Sequence, residues 1–214
     1  MNSSQIIPLF PLGVVLLPEM NMPLHIFEER YKLMMKDCLE EQKGFGLVYY
    51  DGAHIKTTGC VARITRVIKR YSDGRMDILT KGQWRFEIEE IFENKSYLEA
   101  KVQLFDDDDI DDPDIKYDIS DRAKALINEL AALNKKAGET FTFNSINSQQ
   151  LSFIIAGMDG FSYDEKQEFL EMRSTEKRLK KGVEVLAKII ERIKLNAEIK
   201  KIVGGNGHMP ELFR

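Results

Sequence analysis

The sequence is poor in the residues that most often carry chemistry. It has two cysteines, three histidines and one tryptophan in 214 residues. Cys38 falls in an expected helix and Cys60 opens an expected strand, so a disulfide framework is excluded as the organising device and two reduced thiols in the core are expected. His25, His54 and His208 stand far apart and form no local metal or catalytic motif. There is no phosphate-loop signature, no helical histidine pair around a glutamate, no cysteine pair at zinc spacing and no nucleophile elbow. No catalytic residue, metal ligand or cofactor is therefore assigned, and the chain is expected not to be an enzyme. Long apolar runs are missing too: none approaches the roughly 20 residues that span a bilayer. No basic segment precedes the apolar start. A soluble, cytoplasmic protein without membrane contact is expected.

Proline is also scarce, six in all, yet Pro8, Pro11, Pro18 and Pro23 crowd into one stretch. Each removes a backbone donor and biases its predecessor away from helix, so Ile7 to Tyr31 is divided into short extended pieces. Val14 to Leu17 is a continuous apolar run, which predicts a strand buried on both faces. Phe27, Tyr31, Met34 or Met35, and Cys38 or Leu39 then recur every three to four residues, one face of a helix.

Strand signals follow: Phe45 to Tyr50, Cys60 to Tyr71, Met76 to Thr80, Trp84 to Glu89 and Leu98 to Leu104, with Ser72-Asp73-Gly74 as a hairpin turn. Trp84, Phe86 and Ile88 alternate with Arg85, Glu87 and Glu89, which predicts a core face and a wet face. About six strands before residue 106, interrupted by one helix, suggest a small closed or nearly closed β-barrel. Beyond the seven aspartates of Asp106 to Asp114, helical periods take over. The fold class is α+β: a barrel subdomain over 1–105, an acidic linker over 106–119, a helical bundle over 120–203 and a loose tail over 204–214.

Within the bundle, Leu126, Leu130, Leu133 and Ala137 mark one helix, ended by Gly138. Residues 144–148 offer caps for a second, with Leu151, Ile154, Ile155 and Met158 on it. Ser162 and Glu165 form a capping box for a short third. A long last helix runs from Ser174 or Thr175 to about Val203, ended by the glycines that follow. Its heptad seam is Leu179, Val183, Leu186, Ile190, Ile193 and Ala197, either buried in the bundle or used for homo-oligomerisation.

The formal charge is −4, but it is unevenly spread. The aspartate run lacks the central glycine and closing glutamate of a calcium loop, so it reads as a solvated, self-repelling linker. The long helix has nine basic residues against four glutamates. That excess permits phosphate contact, yet no aromatic stacking set accompanies it. Nucleic-acid binding is the alternative function, not the leading one. Met20 and Met22, with Met34 and Met35 nearby, supply the flexible side chains that suit varied apolar partners. The expected protein-binding surface is Met20, Met22, Leu24, Phe27, Tyr31 and Met34.

Taken together, the opening stretch to Tyr31, GCVARI (Gly59 to Ile64), the Asp73-Gly74-Arg75 turn, KGQWRFEI (Lys81 to Ile88) and KQEFLEMRSTEKRL (Lys166 to Leu179) resemble the N-terminal, substrate-binding domain of Lon proteases. Five pieces in the right order cover about Ile6 to Val203, and the chain is similar to the standalone Lon-domain proteins of bacteria. The resemblance implies a PUA-like β-barrel followed by a helical bundle. It also implies a role in recognising unfolded or partner proteins. The Lon ATPase and Ser-Lys peptidase have no counterpart in these residues, so the implied module is non-catalytic.

Overall fold

A computed structural model describes residues 4–108, 112–133, 143 and 145–205. The strands are β1 (Ser4–Leu12), β2 (Asn21–Ile26), β3 (Phe45–Tyr50), β4 (Ile55–Arg70), β5 (Met76–Phe92) and β6 (Leu98–Phe105), with helix α1 (Glu29–Glu40) between β2 and β3. Helices α2 (Pro113–Leu133), α3 (Ser148–Gly157), α4 (Tyr163–Glu171) and α5 (Thr175–Gly205) follow. The architecture is a mixed six-stranded sheet and five helices among the described residues.

The strand order is β2-β5-β4-β3-β1-β6, and β5 also pairs with β6. The pairings of β1, β3, β4, β5 and β6 thus return on themselves, with β2 attached outside that circuit to the first part of β5. β1 runs parallel to β3 and antiparallel to β6, and it changes neighbour at Leu9. Each half of β1 therefore has a single partner. That is how Pro8 and Pro11 fit inside a strand, because a missing N–H can face the unpaired side.

The expected strand at Val14 to Leu17 is not one. Val15, Leu16 and Leu17 are buried as predicted, but in irregular backbone after β1. The apolar run signalled burial without fixing conformation. Two other expected strands, Met76 to Thr80 and Trp84 to Glu89, are one: β5 continues through Gly82. A Cβ at Gly82 would lie 2.2 Å from the Leu17 carbonyl oxygen. The glycine admits the buried loop against the sheet and does not break the strand.

Two cores result. Ile7, Leu9, Val48, Val61, Phe86, Ala100 and Val102, drawn from the five strands of the circuit, form the smaller one. The larger joins the outer sheet surface to α1 and the helices beyond, and holds Phe10, Tyr31, Met34, Met35, Phe45, Phe153 and Leu186 among others. Both faces of β5 are covered near its middle, so Phe86 and Arg85 are both buried; a register shift that sets Gln83 and Trp84 against Val61 alone breaks the alternation, and Trp84 is 56% exposed.

The helices are close to expectation, with a shift. α2 opens at Pro113, not Ser120, so part of the expected linker is helix. Its expected end near Gly138 lies outside the described residues. Asn147 caps α3 and Ser162 caps α4, each with a reciprocal capping box. On α5, Leu179, Val183, Leu186 and Ile190 are buried, Ile193 is half-buried and Ala197 is exposed. The first part of the seam is therefore consumed within the molecule. α5 extends to Gly205, through the expected glycine stop; the tail from residue 206 lies outside the described residues.

Gly82→Ala should be among the costliest single-atom insertions, since backbone, not a yielding side chain, occupies the space. We expect a loss of about 1–3 kcal/mol, read as a lower urea midpoint with an unchanged slope.

Candidate functional site

The expected contact surface divides when its residues are placed. Tyr31 is 8% exposed and Met34 is fully buried. Tyr31 lies against Phe10 at 4.2 Å between ring centroids. These two are core and cannot line an open groove. Met20, Met22 and Leu24 are half-buried, packed on the main core with one side left to solvent. Phe27, between β2 and α1, is 60% exposed and stacks on His25 at 6.0 Å. Met20 leans on α3, where a Cβ on Gly157 would meet its Cε at 2.6 Å. The usable part of the strip is thus Met22, Leu24 and Phe27, with Met20 at its inner end.

Next to Met20, the loop at Pro18 and Glu19 borders a cavity of about 220 Å³ between sheet and helices. Trp84 of β5, Phe105 at the end of β6, Asp106 just after it, and Gln149 and Phe153 of α3 also line it. Asp106 accepts a hydrogen bond from Gln149 Nε2 at 2.6 Å, which ties the end of β6 to the start of α3. The indole is exposed at the mouth of this cleft. Alternation had put Trp84 in the core, and a bulge that no local pattern announces moved it out.

Behind the cleft lies the one buried charge cluster of the described residues. Asp107 meets Arg85 at 2.5 Å and Arg178 at 2.5 Å and 2.7 Å, and accepts from Thr175 Oγ1. Arg85 is 2% exposed, Arg178 is fully buried and the Asp107 side chain is 14% exposed. Arg85 also donates to the carbonyls of Leu170 and Met172, and Arg178 donates to Met172 and to Ser152 Oγ. The expected solvated linker is therefore corrected at this position: Asp107 is a structural counter-ion. No local pattern distinguishes it from the other aspartates of its run. Burial alone would push its carboxyl up, but hydrogen bonds from Arg178 and Thr175 and the two guanidinium charges hold it down, at about 2.

This cluster has no features of a reactive centre, since every polar group in it is spent on another. Both thiols are also inert by placement. Burial pushes Cys38 and Cys60 up to about 12. Among the described residues no group of three or more metal-ligating side chains converges, and no helix is long and apolar enough to cross a membrane.

A family model for the ATP-dependent protease La (LON) substrate-binding domain matches residues 6–188. The chain belongs to that family. Lon protease from Anaeromyxobacter dehalogenans is 24% identical over 213 residues, covering 94% of this chain and 25% of that protein. Lon protease 2 from Myxococcus xanthus is 25% identical over 214 residues, covering 94% and 26%. The chain thus spans about a quarter of the length of the curated relatives it matches. The Lon N-terminal domain protein from Xanthomonas campestris superposes with a TM-score of 0.64 at 22% identity, over 83% of this chain and 96% of that one. The N-terminal domain of Mycobacterium avium complex Lon protease gives 0.71 at 15% identity, over 86% and 98%. These likenesses establish a Lon N-terminal fold. The family match falls on the substrate-binding part of the protease, which is not its catalytic part.

Two outcomes follow. Asp107→Asn strands two buried guanidinium charges and should cost about 3–5 kcal/mol. Because the folded value is depressed, the stabilisation from Asp107 is complete above about pH 4, the unfolded range, and is lost as pH falls towards about 2. The variant should therefore show a shallower acid limb in a plot of stability against pH. Second, with both thiols raised from 9.0 to about 12, the native thiolate fraction falls by about a thousandfold. Alkylation by iodoacetamide should be slow in the folded protein and fast in urea, for both cysteines.

Proposed function

We propose that this chain is a non-catalytic recognition module that binds exposed apolar segments of unfolded or partner proteins. The observation that carries this reading is the match of residues 6–188 to the substrate-binding domain of the ATP-dependent protease La. The strip of Met22, Leu24 and Phe27 would hold apolar side chains, and the Trp84 cleft, reached past Met20, would extend the same surface. Methionine and aromatic side chains suit varied sequences because they adapt in shape and lose little on being covered. In the same reading the closed circuit of strands is a PUA-like barrel that serves as a rigid support for the strip.

The alternative, RNA binding through such a barrel and the basic α5, has less behind it. α5 spends four of its apolar positions on the bundle, and its basic residues Lys180, Lys181 and Lys194 are paired with Glu176, Glu168 and Glu129.

Binding of a chemically denatured test protein, followed by the fluorescence of the single tryptophan and by anisotropy of a label, checks the proposal. Phe27→Asp should weaken binding by about tenfold without moving the unfolding midpoint, since Phe27 is exposed; Trp84→Ala should weaken it as well. Absence of binding, or binding unchanged in both variants, overturns the reading.

A further inference from the structure

The outer half of β4 is the most basic exposed surface that the recognition reading leaves unused. From Ile55 to Ala62 the strand lies between β3 and β5, but from Arg63 to Arg70 only β5 pairs with it. Among the described residues no strand pairs with the other edge of these eight, although Arg63 and Ile64 share a pocket with Cys38, Leu39, Gln42 and Lys43 at the end of α1. They carry Arg63, Arg66, Lys69 and Arg70 and no acid, in a protein of net charge −4. All four cations are exposed. Among the described residues Arg63, Arg66 and Arg70 have no ion pair or hydrogen-bonding partner for their side chains, and Lys69 lies over the Tyr71 ring at 4.5 Å. Ile68, 51% exposed, adds an apolar side chain to the same run.

We propose that this edge docks an acidic, extended polypeptide segment by strand addition. The inference rests on the recognition reading and names a charge class for what is recognised. Three observations select this occupant. Between the bulges that β4 makes at Thr65 and Ile68 the open edge still offers backbone donors and acceptors, which a polypeptide can pair with and a nucleic acid cannot. No aromatic side chain lies between Arg63 and Arg70, so the stacking platform that holds single-stranded bases is missing. Finally, the register shifts between Ile64 and Arg66 and between Val67 and Lys69. Those bulges limit any added strand to a short segment, and the repeated cations repel a second copy of the same edge. A segment rich in glutamate or aspartate escapes that repulsion, and its carboxylates gain the guanidinium forks that lack partners here. The other free edge differs. On β2 the residues facing away from β5 include Pro23, which has no N–H to offer, because the Met22 carbonyl is turned towards Thr80.

The test uses the full chain and a short fluorescent peptide alternating glutamate with valine. Binding is expected, falling with added salt, and weaker by about tenfold or more in the Arg63→Glu/Arg66→Glu/Arg70→Glu variant. Replacing the peptide's glutamates by glutamine should have a similar effect. Methylating alternate backbone nitrogens of the peptide, at unchanged charge, should also weaken it. Undiminished binding to the triple variant overturns the proposal, and undiminished binding of the methylated peptide overturns strand addition. A single-stranded RNA that binds more tightly than the peptide and needs the same arginines reassigns the surface to nucleic acid. The exposed arginines should leave the unfolding midpoint in place; if the triple variant unfolds, Arg66→Gln alone carries the comparison. Denatured test protein that still binds through Phe27, with no preference for the acidic peptide, sinks this inference and leaves the recognition reading standing. Loss of both sinks the reading itself.

Discussion

The two layers of this molecule are joined through one carboxylate. Asp107 stands between Arg85 of the sheet and Arg178 of the last helix; with only the exposed Asp106 carboxylate, 3.8 Å from Arg85, beside it, the buried cluster keeps an excess of positive charge where water is scarce. Such an excess is costly unless other groups take it up. Here the surroundings supply them. Arg85 donates to the carbonyls of Leu170 and Met172 and Arg178 to that of Met172, at the C-terminal end of α4, where the helix dipole is negative. Phe105 and Phe153 present ring faces to Arg85 at 4.6 Å and 5.3 Å, and Phe153 also faces Arg178 at 4.3 Å. A helix end, two rings and a carboxylate each take part of the load.

That solution fixes several elements together. It sets where β6 ends, because Asp107 is two residues past Phe105. It sets how α4 passes into α5, because Met172 and Thr175 flank the turn and both bond to Arg178. It orients α3 through Ser152. With Arg85 turned into the cluster and Phe86 into the smaller core, Trp84 is left with solvent at the mouth of the cleft. The bulge of β5 at Gln83 and Trp84 is what turns the indole outward.

How far the sequence disclosed this depends on the range of the forces involved. The capping box at Ser162 and a cap for α3 within residues 144–148 are local, and Phe45 to Tyr50 and the four leading seam residues of α5 depend on periodicity that survives in any context; these were legible. Val15 to Leu17 was legible as core but not as backbone, because burial does not distinguish a strand from a tightly held loop. Arg85, Asp107 and Arg178 are separated by 22 and 71 residues in sequence, and no window contains them together. The contact strip failed in part for a related reason: Tyr31 and Met34 share the helical period of α1, and that period marks what faces the core. The family resemblance reached further, since it draws on the whole chain at once.

Closing the strand circuit also explains why unpaired edges persist. β4 and β5, with 16 and 17 residues, are far longer than β3 with 6 or β6 with 8. A short partner can match only part of a long strand, so the hairpin joining β4 to β5 overshoots the circuit. β2 covers the overshoot on the β5 side, and nothing among the described residues covers it on the β4 side. An edge left in this way must be protected, and the two means observed, bulges and cations, have different consequences. A bulge discourages every strand alike. Cations repel only strands that carry positive charge, so the two means of protection differ in what they keep away.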